Sequence, residues 1–240
     1  MAYAAWWSFV GAASLLLGAG LTYWFTIGAR TLGLVMGFGA GALISAVAFD
    51  LVLPSAQTAG RLPILVGLLA GALTFWGGDL LLERRTGGQD PVVGTQVSGL
   101  PLVLGAALDG VPESVAIGLT TLGGASVSAA MVVAVFLSNV PEGLAGTMGL
   151  RRAGWATGRI ILLWSAIVAA CVLAAVLGYA VLGSASPSTV ALIQSFAAGA
   201  ILCMLANTLM PQAYGHGGRA VGLVTVLGFI FASALAATGG

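Results

Sequence analysis

Residues 98–122 read SGLPLVLGAALDGVPESVAIGLTTL, and residues 125–149 read ASVSAAMVVAVFLSNVPEGLAGTMG. Each run is long enough to cross a bilayer as a helix, which takes about 20 predominantly apolar residues. Each also carries a Pro-Glu pair near its centre, at Pro112–Glu113 and at Pro141–Glu142. A charged side chain at that depth costs roughly 2.5–3.5 kcal/mol on insertion scales. A costly pair that occurs twice indicates a site within an α-helical membrane protein.

The composition of the whole chain supports placement in a membrane. Of the 240 residues, 59% are hydrophobic and only 6% are charged, whereas a soluble domain carries about 25% charged residues. Glycine is abundant, with 37 residues, and small residues suit close packing of helices in lipid. The basic residues are all Arg and form no long basic run, so nucleic-acid binding is not expected.

Eight apolar runs predict an all-α membrane protein with a single polytopic domain over residues 1–240. These runs are too long and too continuous for the strands of a membrane barrel, and helices satisfy their own backbone hydrogen bonds in lipid. The approximate predicted spans are 4–27, 32–53, 62–83, 98–122, 125–149, 158–183, 189–211 and 219–237.

The arginines predict the orientation of these spans. Arg61 is alone on one side, and the seven other arginines lie in the loops after spans 1, 3, 5 and 7. By the positive-inside rule, the side with seven is cytoplasmic. We therefore expect extracytoplasmic termini, a cytoplasmic loop at 84–97 and, from the short loops and small size, a bacterial plasma membrane. The seven are Arg30, Arg84, Arg85, Arg151, Arg152, Arg159 and Arg219.

Two pairs of similar segments within the chain predict an inverted repeat. Residues 38–56 read FGAGALISAVAFDLVLPSA and residues 196–213 read FAAGAILCMLANTLMPQA; counted back from the proline near each end, Asp50 matches Asn207. The sequences of spans 4 and 5 are similar at an offset of 29 residues. The members of each pair run in opposite directions, a pattern typical of transporters with a site near the midplane. We expect spans 1–3 and 6–8 to be inverted halves that flank the central pair 4/5.

The central pair concentrates oxygen donors. Asp109 and Glu113 are four residues apart, as are Ser138 and Glu142, so each pair shares one helical face. No basic residue lies in spans 4 and 5 to balance the carboxylates. A bound divalent cation, protons or a water-filled cavity must therefore compensate for their burial.

The prolines add free acceptors to this site. Proline has no N–H, so Pro112 and Pro141 leave the carbonyls of Leu108 and Leu137 without their helical donors. Two antiparallel kinked helices with carboxylate, side-chain oxygen and free carbonyl groups can enclose an all-oxygen cation site. The alternative is a pair of kinked helices whose protonated glutamates hydrogen-bond to their neighbours.

These residues resemble the ZIP (Zrt/Irt-like) family of divalent metal transporters. That family carries His-Asn-x-Pro-Glu-Gly in its fourth helix and a related motif in its fifth. Here Asn139, Pro141, Glu142 and Gly143 match, as does Pro112–Glu113. The end of the second span, Val-Leu-Pro-Ser-Ala, is similar to the family's Leu-Leu-Pro-Glu-Ala. The family also has eight spans, external termini and a cytoplasmic loop after the third helix, so the resemblance covers most of the chain.

The resemblance implies a transporter, not an enzyme, that moves divalent metal into the cytoplasm by alternating access. The metal (Zn, Mn or Fe, with Cd as a surrogate) is the substrate, and no organic cofactor is implied. Membrane lipid and the metal cation are the expected partners, and the family's dimer surface leaves a homodimer as an open alternative. The implied metal residues are Asp109, Glu113, Ser138, Asn139 and Glu142, with Asn139 as the remnant of a second position. Asp50 and Asn207 are candidates for an entrance and an exit.

The chain also departs from the family. Asp109 and Ser138 replace the motif histidines, Gly110 replaces an Asn, and the sixth span contains no carboxylate. Carboxylate and carbonyl oxygens suit Mn, Mg or Ca, whereas imidazole suits zinc. We therefore expect a weaker preference for zinc than in a relative with histidines.

Other interpretations stay open at this point. One is a proton- or ion-coupled carrier of another substrate on the same fold. Another is a non-transporting membrane protein that lost metal binding with its histidines. Cys171 and Cys203 show no metal-type spacing and are interpreted as small buried side chains. Asp79 is interpreted as a residue of the membrane boundary, and His216 as a solvated loop residue.

Overall fold

The structure is a computed structural model that describes residues 1–86, 99–122 and 127–238. The expected cytoplasmic loop 84–97 lies mostly outside the described residues. In chain order the helices are α1 (Ala2–Trp24), α2 (Ala29–Ala59), α3 (Arg61–Thr86), α4 (Gly99–Thr120), α5 (Ala129–Arg152), α6 (Thr157–Leu182), α7 (Pro187–Gly217) and α8 (Ala220–Thr238).

The described residues form an all-helical architecture that is compatible with a membrane protein. Seven helices in these ranges are long and apolar enough to cross a bilayer, judged by length and composition. The helix with the first Pro-Glu pair, α4, has 22 residues. Large apolar side chains such as Leu62, Leu162 and Leu223 are 72%, 71% and 76% exposed. Side chains of this kind are suited to contact lipid, which is as apolar as leucine.

Two helices run past their predicted ends. α2 and α7 each have 31 residues, beyond the predicted spans 32–53 and 189–211. As a result His216, predicted to be a loop residue, lies in the last turn of α7, where its Nδ1 is 2.8 Å from the carbonyl oxygen of Gln212. The predicted ends at 53 and 211 were wrong because both helices continue as α-helix past their prolines.

A change of hydrogen-bond register lets both helices continue through their prolines. Val47–Val52 in α2 and Leu205–Leu209 in α7 are π-helical turns. The α-helix resumes directly after each turn, with Pro54 or Pro211 in its first turn. Proline is tolerated there because the first N–H groups of an α-helix have no intrahelical acceptor. Wide turns of this kind are frequent at functional sites.

Glycines bring α2 and α8 into close contact. A Cβ on Gly41 would collide with the carbonyl oxygen of Thr225, and a Cβ on Gly228 would collide with that of Phe38. Backbone atoms cannot rotate out of the way as a side chain can. These two positions therefore require glycine, as is typical where helices approach closely in membranes.

α3 and α7 make a contact of the same form. A Cβ on Gly199 would collide with the carbonyl oxygen of Leu68, and one on Gly71 with that of Phe196. When residues 38–56 and 196–213 are aligned at their first residues, Phe38 matches Phe196 and Gly41 matches Gly199. The two helix pairs thus interlock through matched residues.

The buried side chains form two cores. The larger core draws on α2, α3, α7 and α8 and on the facing sides of α4 and α5. The smaller core draws on α1, α4, α5 and α6. At its centre Trp164 of α6 is fully buried and donates from Nε1 to the hydroxyl of Thr147 of α5, at 2.8 Å. α4 and α5 therefore lie between the two groups of helices.

Candidate functional site

Both Pro-Glu pairs lie inside continuous helices. Pro112 is within α4 and Pro141 is within α5. Each proline lacks the N–H that would bond to the carbonyl four residues earlier. The glutamate that follows each proline therefore lies within one turn of a backbone carbonyl whose usual donor is absent.

The acidic side chains of these helices are withdrawn from solvent. Asp109 is 3% exposed and Glu113 is 0% exposed, while Glu142 is half-buried. The three carboxylates lie near enough to repel one another when charged: Asp109 and Glu142, Glu113 and Asp109, and Glu142 and Glu113. The structure thus places the three acidic groups predicted from the sequence in one region of the molecule.

Several oxygen atoms in this region are buried without a hydrogen-bond partner. Buried acceptors are nearly always paired in folded proteins, so an unpaired group calls for an explanation such as an ion. An unpaired buried group costs about 1–3 kcal/mol, and more when it is charged. The atoms are Oδ1 of Asp109, Oε1 and Oε2 of Glu113, Oδ1 of Asn139 and Oε2 of Glu142.

The two polar neighbours on α5 are held by the backbone. Ser138 is fully buried, and its hydroxyl donates to the carbonyl of Val135 in the same helix at 3.0 Å. Asn139 donates from Nδ2 to the carbonyl of Gly11 in α1 at 3.3 Å. The oxygens of both side chains remain available as acceptors.

The oxygen donors do not form a closed coordination shell. Across residues 1–86, 99–122 and 127–238, no group of three or more His, Cys, Asp or Glu side chains is close enough together to hold a metal ion. The carboxylates lie in one region and interact electrostatically. They are not grouped closely enough to surround one ion. An ion at this position would be held only after their side chains rotate toward it.

Cys171 is a neighbour of this region that the sequence reasoning missed. It lies on α6, is 1% exposed, and its Sγ would be 2.8 Å from a Cβ placed on Gly110 of α4. Ser114 lies beside the thiol, and the charges of Glu113 and Glu142 reach it. The thiol can approach α4 this closely because Gly110 has no side chain.

Asp50 lies in the second half of α2, inside its π-helical turn. Its carboxylate accepts a hydrogen bond of 2.5 Å from the hydroxyl of Ser128. Ser128 is the N-cap of α5, and its oxygen accepts from the backbone N–H of Met131 at 3.0 Å. The structure therefore places this candidate entrance residue at the start of α5.

Asn207, the candidate exit residue, lies in the π-helical turn of α7. It lines a cavity of about 350 Å³ together with Trp76, Asp79, Leu80 and Ala206. Asp79 lies beside Asn207, and its charge also reaches Asp109. The acidic residue assigned by sequence to the membrane boundary thus lines a cavity on the side of Asp109.

Comparisons with known proteins give one distant relative and no family assignment. No family model matches the chain. The chain is 27% identical over 209 residues to a protein of Arabidopsis thaliana named "Putative zinc transporter At3g08650". The match covers 85% of this chain, but it spans only 33% of that protein's own length.

Proposed function

We propose that this protein is a membrane transporter of divalent metal cations, with its ion site between α4 and α5. The observation that carries the proposal is the set of unpaired buried oxygens on Asp109, Glu113 and Glu142. Three carboxylates at this depth cost roughly 2.5–3.5 kcal/mol each on insertion scales. A dication compensates for that cost and uses the oxygens as ligands, as hard divalent ions prefer.

The remaining ligands follow from the same region. Ser138 and Asn139 add a hydroxyl and an amide oxygen, and the prolines add two backbone carbonyls. All five side chains would hold the ion during part of a cycle and release it when the helices separate. The open arrangement of the carboxylates suits an ion in transit, because conduction requires binding that is weak enough to be reversed.

Alternating access is the mechanism that the packing supports best. Helices α1, α4, α5 and α6 share the smaller core, and α4 and α5 also contact the larger core. In the proposed cycle these four helices move against α2, α3, α7 and α8 across that second contact. The matched contacts of α2 with α8 and of α3 with α7 support an inverted repeat of helices 1–3 and 6–8. Transporters with such repeats hold their site between the halves and expose it to each side in turn.

The direction, the membrane and the family also belong to this proposal. The arginine distribution favours termini outside the cytoplasm, the short loops and small size favour a bacterial plasma membrane, and the ZIP resemblance implies uptake into the cytoplasm. The motif residues and the distant relative named as a zinc transporter support a divergent, ZIP-like protein with eight spans. Membrane lipid would surround the exposed leucines, and the family's dimer surface keeps a homodimer within the proposal.

A second function fits one of the same observations. Carboxylates that do not converge around one point can also be protonated groups that carry protons with another substrate. Such a carrier would move protons without metal. A non-transporting protein would do neither.

Uptake by purified protein in proteoliposomes tests the proposal. A metal-sensitive dye and a pH-sensitive dye inside the vesicles report the two fluxes separately. Glu113→Gln and Glu142→Gln are expected to abolish Zn²⁺, Mn²⁺ and Cd²⁺ influx, because each removes a charged ligand. Glu83→Gln, at the predicted inner end of the third span, is the matched control and is expected to keep it.

The outcomes separate the three functions. Metal influx that persists in both site variants contradicts the assigned site. Proton flux without metal flux supports the coupled carrier. Vesicles that move neither ion, although the protein is correctly reconstituted, support the non-transporting alternative.

A further inference from the structure

The connection between α5 and α6 concentrates positive charge. Arg151 and Arg152 lie in the last turn of α5, and Arg159 lies in the first turn of α6. The residues between the two helices form a tight turn, which is closed by a hydrogen bond from the backbone N–H of Trp155 to the carbonyl of Leu150 at 3.0 Å. All three arginines are exposed, so the ends of the two helices present an arginine cluster at the surface.

The end of α1 joins this arginine cluster. Nη1 of Arg151 donates to the carbonyl of Thr22 at 2.7 Å, and the guanidinium lies over the ring of Tyr23, 4.5 Å from the ring centre. The guanidinium of Arg159 lies over the ring of Trp155 at 5.8 Å. A neutral carbonyl or ring holds a guanidinium in place but does not cancel its charge. A guanidinium also has more N–H donors than one such bond uses, so Arg151 can bind a further acceptor.

The helices that form the cluster contain few acidic residues to balance it. The chain has no Asp or Glu before Asp50 and none after Glu142, so α1 and α6 contain no carboxylate side chain. Glu142 precedes Arg151 by more than two helical turns, and therefore lies deeper in α5. Helix α3, which contains Asp79, packs mainly against α7. The positive charge of the cluster is therefore suited to an anion from outside the chain.

Aromatic side chains place the cluster at the level of the lipid headgroups. Trp24 and Phe25, which directly follow Tyr23, are 84% and 63% exposed. Trp and Tyr are enriched where a bilayer meets water. The anions at that level are lipid phosphates, and the planar guanidinium of arginine matches phosphate through paired hydrogen bonds. Charge, geometry and depth thus favour the same kind of ligand.

We propose that the arginine cluster binds the headgroup of an anionic phospholipid, with Arg151, Arg152 and Arg159 as ligands of its phosphate. The occupant is a lipid of the surrounding bilayer, because the exposed Trp24 and Phe25 offer apolar contact to an acyl chain near the arginines. The bound headgroup joins the ends of α1, α5 and α6, which all contribute to the smaller core. This inference depends on the placement of the chain in a membrane and is independent of metal transport.

Native mass spectrometry of the protein purified in detergent measures the affinity for single lipids. Wild-type protein is expected to bind phosphatidylglycerol, which is anionic, more tightly than zwitterionic phosphatidylcholine. Arg152→Gln/Arg159→Gln is expected to weaken the binding of phosphatidylglycerol by about fivefold for each arginine removed, in line with the attraction of basic side chains to anionic membrane surfaces. This double variant keeps the bond between Arg151 and Thr22, so the contact of α1 with α5 is preserved.

Two controls separate this site from general surface charge and from free phosphate. Arg219 is an exposed arginine in the turn before α8, on the same predicted side of the membrane, and Arg219→Gln is expected to keep the wild-type affinity. Glycerol phosphate supplies the phosphate without acyl chains and is expected to bind more weakly than phosphatidylglycerol. The melting transition of each variant reports whether it is folded. If Arg152→Gln/Arg159→Gln does not fold, Arg152→Lys/Arg159→Lys replaces it, and a smaller loss of affinity is expected because lysine keeps the charge but not the planar fork.

Several outcomes would overturn the lipid site. These are equal affinity for the two lipids, wild-type affinity in the folded double variant, and an equal loss of affinity in Arg219→Gln. Glycerol phosphate that binds as tightly as phosphatidylglycerol would instead indicate a site for soluble phosphate compounds. Metal influx into proteoliposomes is measured separately, so its absence would refute metal transport and leave the lipid site standing.

Discussion

Asp50 of α2 accepts a hydrogen bond from the N-cap residue of α5, Ser128, over 2.5 Å. The carboxylate also lies beside the positive end of the α5 dipole, where negative charge is favourable. One contact thus joins α2 to α5, which is a helix of the proposed ion site.

The first prediction concerns this contact. Ser128→Ala removes both the cap of α5 and the hydrogen bond to Asp50. Loss of an N-cap costs about 0.5–2 kcal/mol, and we expect the upper part of that range because the hydrogen bond to Asp50 is lost as well. Thermal unfolding in detergent measures the difference.

Ser186→Ala is the matched control for Ser128→Ala. Ser186 caps α7 through the backbone N–H of Thr189 at 3.2 Å. Its hydroxyl faces Thr189 rather than a carboxylate. Equal destabilisation by the two alanine variants would mean that the contact with Asp50 contributes nothing.

The second prediction concerns the interlocked glycines. Gly41→Ala and Gly199→Ala place a methyl group against backbone carbonyl oxygens. The helices must move apart, so we expect destabilisation of about 1–3 kcal/mol or more, as for other overpacked sites. Unfolding by heat or by denaturing detergent reports the change.

Gly20 and Gly77 supply the contrast. Both are helical, and a Cβ at either meets no atom within 4 Å. Alanine there is expected to be neutral, or to stabilise by roughly 0.5–1 kcal/mol, because glycine loses more backbone freedom in a helix. A similar loss of stability at all four positions would argue against specific helix contacts.

The third prediction concerns the pair Gly110 and Cys171. Gly110→Ala is expected to destabilise the protein because its Cβ would be 2.8 Å from Sγ. Adding Cys171→Ala removes the obstructing atom, so the double variant is expected to recover most of the loss. Double-mutant cycles on contacting residues show such coupling energies at about 0.5–3 kcal/mol.

Gly105→Ala, in the same helix, is the control for this cycle. A Cβ at Gly105 meets nothing within 4 Å, so its effect should add to that of Cys171→Ala without coupling. If the effects of Gly110→Ala and Cys171→Ala were also additive, the thiol would not occupy the space beside α4.

The fourth prediction concerns stabilisation by the transported ion. A ligand that binds only the folded state adds about 2.7 kcal/mol at a concentration 100 times its dissociation constant. Zn²⁺ or Cd²⁺ is therefore expected to raise the melting temperature of the protein in detergent. The double variant Glu113→Gln/Glu142→Gln is expected to show no such shift, because it lacks two of the three carboxylates that would bind the ion.

Ionic strength provides the control for the metal effect. Na⁺ at the same ionic strength should leave both melting temperatures unchanged. An equal rise in wild-type protein and in the double variant would place the binding outside the α4/α5 region.

Much of the local structure could be read from the chain alone. Runs of about 20 apolar residues satisfy their backbone in lipid only as helices, so the helical architecture followed directly. The buried acids Asp109 and Glu113 also followed, since their position within an apolar run leaves them no route to solvent. The ends of α2 and α7 did not follow, because the π-helical turns that admit Pro54 and Pro211 depend on packing around them.

What the sequence determined by itself is therefore the helices, their apolar character and the acidic faces of α4 and α5. Only the tertiary structure placed Cys171 against Gly110 and Ser128 against Asp50. Helical periodicity states which residues share a face, but the partner of that face lies on a helix far away in the chain: residues 50 and 128 are 78 positions apart. Which distant faces meet depends on the packing of all helices at once.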